Sequence, residues 1–479
     1  MRRCLPIIGF CVVLLSFGNL KAQDASGTSV VIYSTDKTQA VTATSADTLY
    51  AVKEIYITGN KRTRNSTILR ELPFKKLDTY PLSVLIENLE QTKRQLINTG
   101  LFRTVVVYLK SIEDQDAYVN IEVEEKWYFF PQPFLRLANG TFSQWNQRGR
   151  NLDHLNYGIR LTQYNFSGRN DKVHLQLTNG YSRKIALQYQ GLYFDKDLKW
   201  WSNINIAHGK SRELNYATEN NKLLAVKNPD GFLYEFFQTS FDLVYRPAIK
   251  TRHQLTIGYI SNRIGDTVAK LNENYSSNNT YHYPYISYGV SFTDYDFNSY
   301  PTRGKAGEVS LHKAGINSPV NLWQLSTKAT KYWPVGKRGY FTSMVAGMIK
   351  LPFKQPYITQ GFLGYGDAFL QGYENYIVDG VAGAYTKQTI AFNVINTQVT
   401  LPMNKRFKSL RNVPFKVYVK GFANAGYVHN PNQTLRNELN NRMLYSTGFG
   451  LDIVAFTDLV FKIEWSFNQL GQNAVYMHQ

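Results

Sequence analysis

The residue types that usually carry chemistry occur in this chain without the spacing that chemistry requires. Gly209, Lys210 and Ser211 end like a phosphate-binding loop, but Ile204 stands where that loop needs its first glycine. The sequence has neither a G-x-S-x-G nucleophile elbow nor an H-E-x-x-H metal motif. We therefore expect no catalytic residue and no enzymatic activity.

The histidines are the remaining candidates for ligands. The chain has eight of them, scattered over expected strand ends and polar faces instead of grouped at metal-binding intervals. A solvated or hydrogen-bonded side chain is the better interpretation, so we expect no metal ion and no cofactor. Six of the eight are His154, His174, His208, His253, His312 and His429.

The N-terminus predicts export. An apolar stretch ending at Phe17 follows a basic start and precedes a small-residue cleavage site, which predicts a secretory signal peptide over residues 1–22. The stretch is too short to span a bilayer as an anchor. Both cysteines, Cys4 and Cys11, lie within it, so the mature chain carries no thiol. The polar residues 23–48 predict a flexible linker.

The charge balance is strongly basic, with 54 Lys and Arg against 35 Asp and Glu for a net charge of +19. A basic surface with many aromatic residues could indicate nucleic-acid binding. Export would remove the chain from nucleic acid, so we expect no such partner. The phosphates of outer-membrane lipid and lipopolysaccharide, or a basic lumen, fit the charge better. A merely solvated basic surface remains the alternative.

Residues 49–127 predict a small α+β domain. A β-rich run ends at the turn pair Gly59-Asn60, and apolar residues then recur at helical spacing up to a capping Gly100. The order strand, helix, helix, strand, strand places the helices on one face of a sheet. The two closing strands carry valines at alternate positions: Val105 and Val107 in the first, Val119 and Val123 in the second.

Residues 128–479 predict an all-β transmembrane barrel of about sixteen antiparallel strands. Apolar and polar residues alternate throughout, as they do in membrane barrels. The longest connections all follow odd-numbered strands. This parity is expected of a barrel with long loops on one side of the membrane, and a soluble sandwich has no reason to show it. The expected strands are 129–138, 153–166, 171–182, 183–194, 197–209, 235–247, 251–264, 281–295, 303–314, 320–334, 338–350, 388–402, 413–428, 443–456, 457–468 and 471–479.

Three phrases in the first domain carry a resemblance to a known family. "VKEIYITGNKRT", "INTGLFRTVVVYL" and "VNIEVEEK" resemble a POTRA domain, the periplasmic module that precedes the barrel in outer-membrane assembly factors. An unrelated ferredoxin-like sandwich is the alternative. The resemblance implies that an exposed sheet edge captures unfolded clients by strand addition. We assign this client edge to Val105, Val107, Val119 and Val123.

Two barrel segments extend the resemblance. "DYDFNSYPTRGKAGEVSL" resembles the mid-barrel periplasmic turn of the same family, with Pro301 and Gly304 setting the reversal. "GYGDAFLQGYENYIVDG" resembles the segment that carries the family's inward-folded sixth loop, whose tip reads apolar-Arg-Gly-aromatic. A glutamine in place of the arginine can hydrogen-bond but cannot form an ion pair, which predicts weaker anchoring, and a plain turn is the alternative. Here the tip is Leu370, Gln371, Gly372 and Tyr373.

The order signal peptide, POTRA domain, barrel resembles the POTRA-barrel outer-membrane assembly factors, the BamA/TamA-like or bacterial surface antigen family. The resemblance implies a periplasmic POTRA domain, unfolded outer-membrane proteins as clients, and periplasmic or lipoprotein assembly partners. It also implies insertion through a lateral seam, which we place at Phe134 and Leu135 of the first strand and Val475 and Tyr476 of the last. A two-partner secretion pore and a passive channel or surface antigen are the alternatives.

Overall fold

The structure is a computed structural model that describes residues 48–137, 155–228, 230–276, 278–316, 319–400, 412–431, 436–455 and 459–478. The expected signal peptide and nearly all of the expected linker lie outside these residues. No helix of the described chain is long and apolar enough to cross a membrane.

The N-terminal domain is a four-stranded sheet with two helices. The strands lie side by side in the order β2-β1-β4-β3, with β1 and β4 parallel and the other neighbours antiparallel. The elements are β1 (Leu49–Thr58), α1 (Asn65–Leu69), β2 (Thr79–Pro81), α2 (Leu82–Asn98), β3 (Phe102–Glu113) and β4 (Asp116–Glu125). The short β2 is the one element of this domain that the sequence pattern did not predict.

The core of this domain forms where α2 packs on the sheet. Leu85, Leu89 and Leu96 follow the helical repeat and are buried, each contributing about 1.5–3 kcal/mol by leaving water. They belong to one cluster with Val119 on β4. Gly100 has a φ of +74°, the left-handed conformation that ends a helix at little cost for glycine.

The sheet order corrects the expected client edge. Val119 and Val123 lie on β4, which pairs with β1 on one side and β3 on the other, so its backbone groups are already bonded. Val105 and Val107 lie on β3, which is one of the two edge strands of this sheet. Alternation of side chains showed that both segments were strands, but it could not show which was central, because strand order depends on long-range pairing.

The remaining strands form one sixteen-stranded antiparallel sheet. Neighbours follow chain order from the first strand to the last. The strands are β5 (Phe129–Leu137), β6 (Leu155–Tyr164), β7 (Lys172–Gly180), β8 (Ser182–Tyr193), β9 (Trp200–Ser211), β12 (Tyr234–Ala248), β13 (Thr251–Ile264), β14 (Thr280–Tyr295), β15 (Gly304–Ala314), β16 (Leu322–Val335), β17 (Gly339–Leu351), β20 (Ala382–Thr400), β21 (Asn412–His429), β22 (Met443–Ala455), β23 (Leu459–Asn468) and β24 (Asn473–His478).

Several connections at one end of the sheet hold structure that the sequence pattern left as loop. A hairpin, a short helix and a second small hairpin with a 3₁₀ turn occupy three of them. These elements are β10 (Glu213–Glu219), β11 (Lys222–Lys227), α3 (Asp266–Leu271), the 3₁₀ turn Tyr357–Thr359, β18 (Gly361–Leu363) and β19 (Val378–Asp379).

The sheet curls round, because residues far apart in strand order meet inside it. Tyr300, in the connection between β14 and β15, donates a hydrogen bond to Asp452 on β22 and accepts one from Tyr340 on β17, both 2.8 Å long. Outward-facing side chains are apolar and exposed along the strands, as a lipid-facing surface requires. Examples are Leu187, Ile206, Phe241, Ile257, Tyr288, Val309, Val345, Val419 and Phe449.

The N-terminal domain is fastened to one end of this sheet by a buried ion pair. Both carboxylate oxygens of Glu71 accept hydrogen bonds of 2.7 Å from the guanidinium of Arg246 on β12. Asn98 at the end of α2 donates to the carbonyls of Tyr295 and Asp296 at the β14–β15 turn, at 3.3 Å each. The Arg62 guanidinium reaches the β6–β7 turn as well. The domain therefore contacts two turns and the end of β12 at the same end of the sheet.

The Glu71 carboxyl is sensitive to acid. Burial alone would raise its pKa, but the hydrogen bonds and charge of Arg246, with a smaller contribution from Arg70, outweigh burial and hold the pKa of Glu71 below its usual range. A carboxyl with a lowered pKa adds stability above its unfolded pKa of about 4.3, and that stability is lost as the pH falls through the lowered value.

We expect Glu71→Gln to loosen the docked domain at neutral pH, as acid below about pH 4 loosens the native protein, because either change leaves Arg246 buried without its anion. Breaking such a pair costs about 3–5 kcal/mol. The distribution of distances between a spin label on the domain and one on a barrel turn would broaden. Glu124→Gln, which removes a more exposed ion pair with Arg103, is the control and should leave this distribution narrow. An unchanged distribution in Glu71→Gln would contradict the role of this pair.

Candidate functional site

The interior of the sheet contains a buried triad of charges on three successive C-terminal strands. The Lys420 ammonium on β21 forms ion pairs with Asp452 on β22 and with Glu464 on β23, at N–O distances of 2.5 and 2.6 Å. All three side chains are almost completely buried. Inward positions alternate with exposed apolar ones such as Val419 and Leu451, so the pleat of each strand aims these charges into the lumen.

The mid-barrel turn reaches this triad from one end. Tyr300 projects inward from the turn to bond Asp452. Gly304 closes the turn with a φ of +120°, and a Cβ there would lie 2.0 Å from the carbonyl oxygen of Asp294, so only glycine fits. Pro301 lies within the same turn, partly buried. The predicted turn residues thus connect the docked N-terminal domain to the lumen.

Loop 6, residues 352–381 between β17 and β20, reaches the triad with its tip. Gln371 donates to Glu464 at 2.9 Å, Asn468 of β23 donates to the Gly372 carbonyl at 2.8 Å, and Tyr373 donates to the Tyr445 carbonyl at 3.1 Å. Leu370 is buried in an apolar cluster with residues of the barrel wall. The four predicted tip residues therefore all lie against the inner wall.

Gln371 contacts the wall through a hydrogen bond and without an ion pair of its own. The glutamine makes one neutral-donor bond to Glu464, while the ammonium of Lys420 bonds the same Oε1 atom. The cation that the resemblance placed on the loop is therefore supplied by the wall. The inward-facing Lys420, Asp452 and Glu464 were present in the sequence, but no alternation pattern indicates which charges meet.

The base of loop 6 is also fastened. Lys350, at the end of β17, donates to the carbonyls of Thr359 and Gly361 at 2.7 and 2.6 Å. From the β10–β11 hairpin, Asn221 donates to the Ile377 carbonyl at 3.0 Å. The loop is thus held at both its tip and its base.

Loop 6 places one further acid beside the triad. Glu374 accepts a 2.7 Å hydrogen bond from the backbone N–H of Gly372. Burial, with a smaller contribution from the charge of Glu464, raises the pKa of Glu374 to about 7. A buried carboxyl of this kind is poised between its charged and neutral forms at neutral pH.

The predicted seam residues lie on the two end strands of the sheet. Phe134 and Leu135 are on β5, and Val475 and Tyr476 are on β24. The sheet order ends at these strands, and within the described residues no backbone pairing joins them. Leu135 and Val475 are 68% and 63% exposed. The structure therefore places both pairs at the free edges without bringing them into register.

The sequence contains a signal for this free edge that the alternation pattern does not capture. Pro131 and Pro133 lie within β5, and a proline has no N–H to donate, so it is confined to edge strands or bulges. Alternate residues of a strand point their backbone groups to the same side, so both prolines remove donors from one edge of β5.

Comparison with known families decides what this architecture is. A family model described as the Omp85 superfamily domain matches residues 165–469, which is more than half of the chain. The chain belongs to the Omp85 superfamily. A POTRA model, described as a surface antigen variable number repeat, matches residues 50–126. The expected fold, a sixteen-stranded transmembrane barrel preceded by a POTRA domain, is confirmed.

Several solved structures resemble the chain at low identity. BamA from Haemophilus ducreyi lacking POTRA domains 1–3 is 15% identical with a TM-score of 0.49, covering 90% of this chain and 83% of that chain. CdiB from Acinetobacter baumannii is 12% identical with a TM-score of 0.49, covering 90% and 73%. CdiB from Escherichia coli is 10% identical with a TM-score of 0.45, covering 94% and 92%. No curated protein matches the chain.

Membership of the Omp85 superfamily gives a general function. Its barrels lie in the bacterial outer membrane and act in protein assembly or transport rather than as enzymes. Both activities occur on this one architecture. The site residues themselves must therefore indicate which activity this Omp85 protein has.

In this Omp85 barrel we expect Lys420→Met to lower stability by about 3–5 kcal/mol, because two buried carboxylates lose their shared cation. Adding Gln371→Arg should recover part of the loss by returning a cation to Glu464. The temperature at which the folded band converts to the unfolded band on a gel measures both effects.

Lys328→Met, at an exposed lysine of β16, is the matched control and should convert at the native temperature. If Gln371→Arg destabilises the Lys420→Met protein further, the loop tip and the wall lysine do not serve the same carboxylate.

We also expect Gly372→Trp to displace loop 6 and lower the same conversion temperature. Gly372 has a φ of +89°, and a Cβ there would lie 3.2 Å from the Cβ of Ser446, leaving no room for an indole ring. Gly366→Trp is the control, because Gly366 also has a positive φ of +57° but no atom within 4 Å of its Cβ position. Equal losses would mean that backbone strain alone matters.

Proposed function

We propose that this Omp85 protein inserts unfolded outer-membrane proteins through the seam between β5 and β24, with its POTRA domain in the periplasm. The observation that carries the proposal is that, within the described residues, each of these strands pairs on one side only and no backbone pairing joins them to each other. Each unpaired backbone group exposed to lipid costs several kcal/mol. A strand that pairs with this edge removes that cost, so the seam is a template for a client strand.

The last strand is suited to separate from the first. β24 is six residues long, and its outward side chains Val475 and Met477 are 63% and 81% exposed. The contacts on the inner face of β24 come from loop 6 and not from β5. Asn375 donates to the Tyr476 hydroxyl at 3.3 Å, and Tyr376 donates to the Gln472 side chain at 2.6 Å. Loop 6 thus supports β24 from the lumen while its backbone edge stays free.

The POTRA domain offers a second edge of the same kind. β3 pairs only with β4 in the described sheet, so its outer backbone groups are free to receive an extended segment. Val105 is buried beneath this strand, whereas Val106 is 45% exposed and is available to a client. Main-chain pairing requires no particular client sequence, which suits a factor that handles many barrels.

The family alone also admits a polypeptide-secretion pore, in which the client passes through the lumen. Here the lumen holds loop 6, fixed at its tip by Gln371 and at its base by Lys350. Export along this path would need those contacts to break, whereas insertion at the seam leaves them in place. We therefore favour insertion.

We expect a crosslink between Leu135→Cys and Val475→Cys to abolish client insertion into lipid vesicles, and reduction to restore it, because the seam can no longer part. Apart from Cys4 and Cys11 in the expected signal peptide, the chain has no cysteine to mispair. A bis-maleimide reagent of matched length replaces the disulfide if the two Cβ atoms lie too far apart for one.

The matched control joins Val475→Cys to Trp465→Cys, its cross-strand partner on β23, which locks two strands that are already paired. This crosslink should leave insertion intact. Full insertion by the seam-crosslinked protein rules out the lateral route, and retained polypeptide export in that form supports the secretion pore.

A further inference from the structure

Three potential metal ligands from three different elements meet beside the seam. They are Glu374 on loop 6, Glu464 on β23 and His478 on β24. The His478 Nε2 atom lies 3.6 Å from Glu374 Oε1 and 3.4 Å from Glu464 Oε2. All three ligand atoms lie within 4.8 Å of one another.

These atoms are buried and lack hydrogen-bond partners among the described residues. Each carboxylate is oriented by its other oxygen. Glu464 Oε1 accepts from Lys420 and Gln371, and Glu374 Oε2 accepts from the Gly372 N–H. The Glu464 side chain is only 2% exposed. A buried carboxylate oxygen without a partner is costly, so two of them aimed at an imidazole nitrogen form a pre-oriented cluster.

We propose that Glu374, Glu464 and His478 bind a divalent transition-metal ion, with Zn²⁺ as the best fit. Ligand atoms about 2.1 Å from zinc at tetrahedral angles lie about 3.4 Å apart, close to the separations from His478. Two carboxylates and one neutral imidazole carry a net charge of −2, opposite to the ion. The imidazole disfavours Mg²⁺ and Ca²⁺, which take oxygen ligands. A water molecule fills the fourth position.

Lys420, Lys387 and Lys462 lie around the three ligands, and among the described residues only Lys420 of these lysines forms an ion pair with one of them. The Lys420 ammonium is shared with Asp452 and meets Glu464 only at Oε1. The Lys387 ammonium lies 3.7 Å from the centroid of the Phe369 ring, and within the described chain no ion pair joins it to Glu374 or Glu464. Phe369 also stacks on the His478 ring at 5.3 Å and fixes its plane.

The ion would join loop 6 and the wall to the last strand. His478 lies on β24, whose free edge forms one side of the seam, while Glu374 belongs to loop 6. Metal binding would therefore fasten β24 at the end of the strand. The binding itself does not require the seam to open, so a failure of lateral insertion leaves this site untouched.

The test uses the full-length protein in detergent, without a histidine tag, after removal of metals by a chelator. Titration with Co²⁺ should give the intense visible absorption of a tetrahedral ion at one equivalent, and Zn²⁺ should displace it. Zn²⁺ should also raise the temperature of the folded-to-unfolded band conversion.

His478→Gln and Glu374→Gln should each weaken Zn²⁺ binding by at least about tenfold, since even residues that only orient a ligand contribute about 10–100-fold. His208→Gln is the control, because His208 has a single carboxylate 3.9 Å away, and it should bind as the native protein does. The gel conversion shows that each variant is folded. Absence of saturable Co²⁺ and Zn²⁺ binding, or native affinity in both ligand variants, overturns the proposal.

Discussion

The buried contact of Lys420 with Asp452 and Glu464 is the interaction on which the interior depends. Two carboxylates in the lumen wall would repel each other and lose hydration without a shared cation. With the cation in place, each has a spare bonding position. Asp452 receives Tyr300 from the mid-barrel turn, and Glu464 receives Gln371 from loop 6. One lysine therefore organises contacts from both ends of the barrel.

In this arrangement the wall carries the cation, whereas in the alternative arrangement an arginine on the loop tip would carry it. An arginine would leave with the loop and strand its carboxylates, whereas Gln371 can leave while Lys420 still neutralises Asp452 and Glu464. Releasing the Gln371 side chain from Glu464 then costs about one hydrogen bond to a charged group, on the order of 1.5–3 kcal/mol, instead of a buried ion pair. The wall keeps its electrostatic balance in either state.

The sequence predicted the large-scale architecture because that architecture follows from the local alternation of apolar and polar residues along each strand. Alternation located every barrel strand to within a few residues, apart from the start of β20, and the glycine and proline at positions 304 and 301 marked a real turn. It did not show that β4 is central, that β10 and β11 form a hairpin, or that Lys420 meets Glu464. Those facts depend on pairing between distant residues, for which a single sequence carries no periodic signal.

The POTRA domain and loop 6 contact different parts of the barrel sheet. The POTRA domain touches turns and strands between β6 and β14, including Arg246, whereas loop 6 bonds β21 to β24. Two contacts join these parts through the lumen: Tyr300 with Asp452, and Asn221 with the Ile377 carbonyl. A change in the width of the seam would therefore strain side-chain contacts inside the barrel as well as the sheet, which couples the position of loop 6 to the two end strands.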